Sequence, residues 1–134
     1  MEKEQVSKRI LLIDDDAVTN MINTKLITRN FDFSVSAYTN AHEALDQFRI
    51  WLSSSPDLLP DLIFLDINMP VMDGWEFLKE FQKLPEKVLE KCNLFMLSSS
   101  IDHDDVEKAK SYTAVREFIS KPLTPDKLKM LAAA

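Results

Sequence analysis

The middle of the chain contains the stretch Leu62-Ile63-Phe64-Leu65-Asp66, in which four apolar residues are followed by an aspartate. An apolar run without polar alternation is typical of a strand that is covered on both faces. Two similar runs occur at 10–13 (ILLI) and 94–97 (LFML), and a shorter strand is predicted near 115–119. The sequence thus predicts several buried strands, each followed directly by polar residues.

Amphipathic stretches separate these runs and predict helices. The segment 84–91 predicts an added helical turn, and Asn40 and Thr124 are the expected caps of the second and last helices. The apolar positions predicted to mark the helices are Val18, Met21, Ile22 and Leu26; Ala41, Ala44, Leu45, Phe48 and Leu52; Gly74, Phe77, Leu78 and Phe81; Val106 and Ala109; and Leu128 and Leu131.

Strands that alternate with helices in this way predict an α/β fold with a parallel sheet and helices on both faces. Residues 33–38 alternate between apolar and small polar side chains, with Phe33, Val35 and Ala37 expected to face inward. This alternation favours an edge position for the second strand. We therefore predict a flavodoxin-like, doubly wound five-stranded parallel sheet in the order 2-1-3-4-5.

Composition excludes several classes of function. The chain has 134 residues, a single glycine, a single cysteine and a net charge of −6. One glycine cannot build a dinucleotide-binding loop, a Walker loop, a kinase glycine loop or a hydrolase nucleophile elbow. The acidic balance argues against direct nucleic-acid binding. The lone cysteine and the lack of a membrane-length apolar stretch predict a cytoplasmic protein without disulfides or a membrane span.

Chemically reactive side chains follow the predicted strands. Asp14, Asp15 and Asp16 follow the first strand, Asp66 ends the third, Ser98 follows the fourth and Lys121 the fifth. The carboxyl ends of parallel strands share one edge, where such sheets bind ligands. Clustered carboxylates repel one another by about 3 kcal/mol per pair at 5 Å, and oxygen-only ligands favour Mg²⁺ as the compensating ion. A lysine and a hydroxyl suit phosphate oxygens, so phosphoryl transfer onto a carboxylate is predicted.

Four segments, in this order, resemble the receiver domain of two-component response regulators, as in chemotaxis regulators. They are 12–16 (LIDDD), 65–74 (LDINMPVMDG), 96–98 (MLS) and 118–122 (FISKP). The resemblance spans about Lys8 to Leu131, and the D-x-x-M-P-x-M-D-G pattern is highly specific. It implies a receiver domain over residues 8–134 after an N-terminal tail at 1–7.

The resemblance implies that Asp66 accepts a phosphoryl group in a phosphorelay, from a sensor histidine kinase or a histidine phosphotransfer protein. Asp14, Asp15 and Asp66 would hold Mg²⁺ together with the backbone carbonyl of Asn68, with Asp15 the more direct ligand of the first two.

The resemblance also implies how the signal leaves the site. Ser98 would turn toward the phosphoryl group, Lys121 would pair with its oxygen, and Phe118 would change rotamer with Ser98. The peptide bond between Lys121 and Pro122 would be cis. The face formed by the helix near Val106, the strand at 115–119 and the last helix would then bind a downstream protein or a second phosphorylated copy. Such a domain is a switch and not a multiple-turnover enzyme.

Three features depart from the family pattern. One is the segment 84–91, which is longer than a minimal connection and predicts an added helical turn. Thr113-Ala114-Val115 replaces the usual glycine-containing turn before the fifth strand, which predicts a different loop there. Ser99 stands where a small alanine or glycine is usual, which predicts slightly changed access to the phosphoryl site.

An alternative class is an aspartate-nucleophile phosphatase of the haloacid dehalogenase type. Asp14, Asp16 and Val18 fit its D-x-D-x-[TV] pattern. That family requires an acidic pair after the lysine, and only Asp126 follows Lys121. The alternative also assigns no role to the segment 69–74.

Other conspicuous residues have structural explanations. Asp16 is expected to cap the first helix, and residues 102–105 (DHDD) form an acidic first helical turn in preference to a metal cluster. Asp73-Gly74 is expected to supply a tight turn, and Cys92 to be a packed thiol.

Overall fold

The sheet has the predicted order. The computed structural model describes residues 7–67, 74–99 and 102–133. Across these residues five parallel strands are arranged in the order β2-β1-β3-β4-β5. The strands are β1 (Arg9–Ile13), β2 (Ser34–Tyr38), β3 (Leu62–Asp66), β4 (Asn93–Ser98) and β5 (Val115–Ser120).

Three of the helices begin at the predicted capping residues Asp16, Asn40 and Thr124. The helices are α1 (Ala17–Asn30), α2 (Ala41–Ser54), a 3₁₀ turn (Pro56–Leu58), α3 (Gly74–Phe81), α4 (Glu86–Lys91), α5 (His103–Lys110) and α6 (Pro125–Ala133). The helix α4 is the added helical turn that segment 84–91 predicted. The side chains of Asp16, Asn40, Asp102 and Thr124 accept hydrogen bonds from backbone amides in the first turns of α1, α2, α5 and α6. Residues 102–105 are therefore the cap and acidic first turn of α5.

Two apolar clusters cover the two faces of the sheet. One cluster joins alternate residues of β1, β3 and β4 to α2 and α3, with Phe48, Phe77 and Phe81 completely buried. The other joins the intervening strand residues to α1 and α6, through Ile27 and Leu128. Side chains alternate across a strand, so the continuous apolar runs supply both clusters at once.

The predicted inward face of α1 is wrong. Three of the residues expected to be inward are more than half exposed: Val18 at 56%, Met21 at 52% and Ile22 at 57%. The buried residues of this helix are Asn20, Asn23 and Ile27. Hydrophobicity predicted the wrong rotation because the carboxamide of Asn20 hydrogen-bonds the backbone beneath the helix and turns that face inward.

The edge strand β2 is only partly as predicted. Phe33 and Val35 pack against the cluster beneath α1 and α6. Ala37 is exposed, contrary to the alternation, whereas Tyr38 packs against the opposite cluster. An edge strand has a neighbour on one side only, so its last residues are less well covered than those of β1 or β3.

The turn before β5 closes without a glycine. The amide of Ala114 donates to Oε1 of Gln82 at 3.1 Å, and Nε2 of Gln82 donates to Oγ1 of Thr113 at 3.4 Å. The amide of Val115 donates to the carbonyl of Tyr112. No described residue has a positive φ. A side chain from the end of α3 thus holds the loop in an ordinary conformation.

Asp61 joins the starts of three strands at the edge opposite the aspartate cluster. Its carboxylate accepts from the amide of Arg9 at 2.9 Å and from Nζ of Lys91 at 3.0 Å. Burial opposes the charged carboxylate, but these two partners outweigh it and lower the pKa of Asp61. A lowered pKa stabilises the fold above the unfolded value of about 3.9, and this stability is lost as pH falls through the folded value.

We expect Asp61→Asn to lower the free energy of unfolding by about 1 kcal/mol at neutral pH, since the amide loses the charge but still accepts one hydrogen bond. Urea denaturation at pH 7 and pH 3 measures this, and the difference from wild type should shrink at the acidic pH. The exposed Asp57→Asn is the control. A difference that persists unchanged at pH 3 would contradict the charge-based explanation.

No described helix combines the length and apolar character needed to cross a membrane.

Candidate functional site

Four atoms of Asp14, in the loop after β1, take part in hydrogen bonds. Its amide donates to the carbonyl of Tyr38 at 3.1 Å, and its carbonyl accepts from Nδ2 of Asn20 at 3.0 Å. Its Oδ1 accepts from the amide of Asp16 at 2.9 Å, and its Oδ2 from Nζ of Lys121 at 2.8 Å. Asp14 is 4% exposed. Its position is therefore fixed by both backbone and side chain.

Three of the predicted site carboxylates meet at the carboxyl edge of the sheet. Oxygen atoms of Asp14, Asp15 and Asp66 all lie within 4.8 Å of one another. Asp14 and Asp66 are buried, whereas Asp15 is exposed. At such distances each charged pair costs about 3 kcal/mol at an effective dielectric near 20, so the group favours a bound cation. All donors are oxygens, which suits a hard ion such as Mg²⁺.

Lys121 contacts two of these carboxylates. Its Nζ lies 2.8 Å from Oδ2 of Asp14 and 3.7 Å from Oδ1 of Asp66. Its amide donates to the carbonyl of Ser98, and the bond to Pro122 is cis as predicted. Burial opposes the charged ammonium, but the hydrogen bond to Asp14 and the charges of Asp66, Asp14 and Asp15 outweigh it and raise the pKa of Lys121. The ammonium is therefore charged at neutral pH, and its ion pairs persist until pH rises through that raised value.

Ser98 and Phe118 lie on the adjacent strands β4 and β5. Ser98 is 2% exposed at the end of β4, beside Ser120 in the sheet register. Phe118 pairs with Met96 in the register and is half-buried. The residue lines two surface clefts, one beside α5 and the other beside α6. Its side chain packs against the apolar cluster that contains Ala109 of α5, which places it on the α5 side of the strand.

Glycine at position 74 was expected to supply a tight turn together with Asp73, but the structure shows a different reason for it. Asp73, like the predicted ligand Asn68, lies outside the described residues. Gly74 begins α3 without a positive φ. A Cβ there would lie 2.5 Å from Cα of Ile67 and 2.7 Å from the carbonyl oxygen of Asp66. Glycine is required because α3 begins in contact with the backbone that follows β3.

Asn20 is a site residue that the sequence motifs did not predict. It is 5% exposed and donates to two backbone carbonyls at the ends of β1 and β2. One feature of the sequence could have identified this residue: it lies one helical turn after the cap Asp16, among apolar residues. Cys92 is buried as predicted, and burial raises the pKa of its thiol to about 12, which leaves it protonated and unreactive at neutral pH.

The sheet order and the carboxyl edge define a class of protein: a doubly wound α/β domain with clustered aspartates and an ion-paired lysine that fit a phosphoacceptor site. The chain belongs to the response regulator receiver domain family, whose model matches residues 10–133. It is thus a receiver domain of two-component signalling, as the sequence motifs predicted.

Relatives that align with this chain along nearly their whole length support this assignment. The chain is 27% identical over 124 residues to the chemotaxis protein CheY of Thermotoga maritima, with 92% of each chain covered. A two component response regulator from Cytophaga hutchinsonii superimposes with a TM-score of 0.87 at 30% identity, over 97% of this chain and 96% of that one. A response regulator receiver protein from Dyadobacter fermentans gives a TM-score of 0.81, also at 30% identity, with 94% of each covered.

Some relatives are much longer than this chain. It covers 48% of the probable C4-dicarboxylate response regulator DctR of Halalkalibacterium halodurans, at 27% identity. It covers 18% of a protein-glutamate methylesterase/protein-glutamine glutaminase of Bacillus licheniformis, at 40% identity over 72 residues. Receiver domains therefore occur in proteins of several activities, and the similarity assigns this chain the receiver function alone.

The phosphatase alternative finds no support. Its nucleophile would be Asp14, but both carboxylate oxygens of that residue already accept hydrogen bonds. The family match includes Asp66 and the segment after it, which the phosphatase leaves without a role.

Proposed function

We propose that Asp66 accepts a phosphoryl group from the phosphohistidine of a sensor histidine kinase or a histidine phosphotransfer protein. The observation that carries this proposal is the convergence of Asp14, Asp15 and Asp66, with oxygens within 4.8 Å of one another, beside the ammonium of Lys121. The domain acts as a phosphorylation switch that assists its own phosphorylation and dephosphorylation, and not as a multiple-turnover enzyme.

In the transfer, a carboxylate oxygen of Asp66 forms a bond to phosphorus while the phosphorus–nitrogen bond breaks. The imidazole leaves with the electron pair and takes a proton from water, which leaves an aspartyl phosphate. The ammonium of Lys121 neutralises charge on the transferred oxygens, and the hydroxyl of Ser98 donates a hydrogen bond to one of them.

The residues that would hold Mg²⁺ are Asp14, Asp15, Asp66 and the backbone carbonyl of Asn68. The oxygen-only donor set fits this ion, and both carboxylate oxygens of Asp14 are occupied by other partners. The exposed Asp15 is accordingly the more direct ligand of the acidic loop. The ion would supply positive charge against the carboxylates and the phosphoryl oxygens.

Mg²⁺ is expected to stabilise the folded chain because the carboxylates repel one another without it. At ten times its dissociation constant the gain is about 1.4 kcal/mol, or about 5 °C in melting temperature. Thermal unfolding with and without MgCl₂ measures this. Asp15→Asn should remove most of the shift, whereas Asp16→Asn, which keeps the helix cap, should retain it. A wild-type melting temperature that is indifferent to Mg²⁺ contradicts the metal assignment.

The exposed apolar face of α1 is suited to the phosphodonor. Val18, Met21 and Ile22 are each more than half exposed, and α1 begins directly after the acidic loop. A donor that brings phosphohistidine to Asp66 has to approach this same edge, so an apolar helical surface on the donor would cover these residues.

The output is proposed to run through Phe118. Phe118 lines the cleft beside α5 and packs against the apolar cluster that includes Ala109, so a change in its rotamer changes that cleft. Movement of Ser98 toward the phosphoryl group would bias that rotamer and alter the surface of α5, β5 and α6. A downstream protein, or a second phosphorylated copy, would bind the altered surface.

Incubation with acetyl phosphate and Mg²⁺ tests the proposal. Intact mass should increase by one phosphoryl group per chain. Sustained hydrolysis of a phosphomonoester that depends on Asp14, without a phosphorylated Asp66, would overturn it.

A further inference from the structure

Asn20 is a buried polar residue whose two side-chain heteroatoms differ sharply in their surroundings. Its Nδ2 donates to the carbonyl of Asp14 at 3.0 Å and to the carbonyl of Tyr38 at 3.1 Å. Its Oδ1 is buried and, among the described residues, has no hydrogen-bond partner. A buried acceptor without a partner destabilises the fold, so this residue is costly where it stands.

The orientation of the carboxamide follows from its neighbours. If the amide were rotated by half a turn, Oδ1 would face two carbonyl oxygens and neither could donate to it. In the observed orientation Nδ2 therefore connects the ends of β1 and β2, whereas Oδ1 makes no hydrogen bond within the described residues.

The contact at Asp14 acts on the next residue as well. The carbonyl of Asp14 belongs to the planar peptide that carries Asp15, so a hydrogen bond to it fixes the direction in which the chain enters Asp15. The carbonyl of Tyr38 also accepts from the amide of Asp14, so it keeps a partner without Asn20. Loss of the carboxamide would thus release mainly the peptide between Asp14 and Asp15.

We propose that Asn20 is a positioning residue for the cation site: its carboxamide holds the peptide between Asp14 and Asp15 so that both carboxylates face Asp66. This inference rests on the proposed function, because it assumes that the three carboxylates bind Mg²⁺. Mutation of a residue that hydrogen-bonds to a metal ligand and orients it typically lowers metal affinity by roughly 10- to 100-fold.

The test is an Mg²⁺ titration of Asn20→Leu, followed by the amide chemical shifts of Asp14 and Asp15. Leucine has a similar branched shape, removes both donated hydrogen bonds and removes the unpaired oxygen. We expect the Mg²⁺ dissociation constant to rise roughly tenfold. The urea midpoint should change little, since removal of the unpaired acceptor offsets the lost hydrogen bonds.

Asn23→Leu is the matched control. Asn23 is buried one turn further along the same helix, and within the described residues it makes no hydrogen bond to the acidic loop. Its replacement should leave the Mg²⁺ affinity at the wild-type value. Equal losses of affinity in both variants would overturn the inference, because the effect would then belong to the helix as a whole.

Two further results separate this inference from the proposed function. If wild type does not bind Mg²⁺, the proposed function fails; if wild type and a folded Asn20→Leu bind it equally, only the positioning role fails. Should Asn20→Leu not fold, the side-chain amide protons of Asn20 in wild type give the answer. They should exchange slowly and shift on Mg²⁺ addition, and rapid exchange without a shift would overturn the role.

Discussion

Asp66→Asn is expected to abolish phosphorylation by acetyl phosphate, with incorporation falling from one phosphoryl group per chain to background. The amide is uncharged and a poor nucleophile, although it has nearly the same size and fits the same buried position at the end of β3. Intact-mass measurement of both proteins after incubation with the donor and Mg²⁺ gives the result directly. The far-ultraviolet circular dichroism of the variant should match that of wild type.

Asp16→Asn is the control for this experiment. It removes one negative charge from the acidic loop, yet asparagine is also a good cap for α1. We expect full incorporation in this variant. Unchanged labelling of Asp66→Asn would show that another residue accepts the phosphoryl group, and the assignment of Asp66 would have to be abandoned.

Gly74→Ala is expected to have the largest effect on folding stability. A Cβ at this position would lie 2.5 Å from Cα of Ile67 and 2.7 Å from the carbonyl oxygen of Asp66, and both are backbone atoms that cannot move aside independently. Alanine favours helix over glycine by about 1 kcal/mol, but such overpacking costs about 3 kcal/mol. The free energy of unfolding should therefore fall by about 2 kcal/mol.

The same substitution is also expected to slow phosphorylation, because relief of the clash displaces the backbone of Asp66. Urea denaturation and the rate of labelling by acetyl phosphate measure the two effects. Lys79→Ala, at an exposed position of the same helix, should change neither. A Gly74→Ala protein with wild-type stability or greater would show that the contact between α3 and the end of β3 relaxes without cost.

The strands and their order follow from local patterns in the chain. Residues 10–13, 62–65 and 94–97 are apolar without interruption, and in the sheet they belong to strands that are covered on both faces. The caps Asp16, Asn40 and Thr124 act within the next few residues. A signal of this kind needs no knowledge of distant parts of the chain, which is why it was predicted correctly.

The rotation of α1 could not be predicted in the same way. Val18, Met21 and Ile22 are more apolar than Asn20 and Asn23, so hydrophobicity alone turns the wrong face inward. The outcome depends on carbonyls that β1 and β2 present beneath the helix, and these include the carbonyl of Tyr38, eighteen positions along the chain.

The chain's own order of residues was enough to specify a parallel five-stranded α/β sheet and to name the aspartates, serine and lysine at its carboxyl edge. Folding alone established that three carboxylates come within 4.8 Å of one another, that Asn20 donates a hydrogen bond to the carbonyl of Asp14, and that Gly74 leaves room for the backbone at Asp66. The physical reason is the separation along the chain of the residues that interact. Strand patterns and caps depend on near neighbours in the sequence. Repulsion between carboxylates, close backbone contacts and buried hydrogen bonds depend on which distant segments meet.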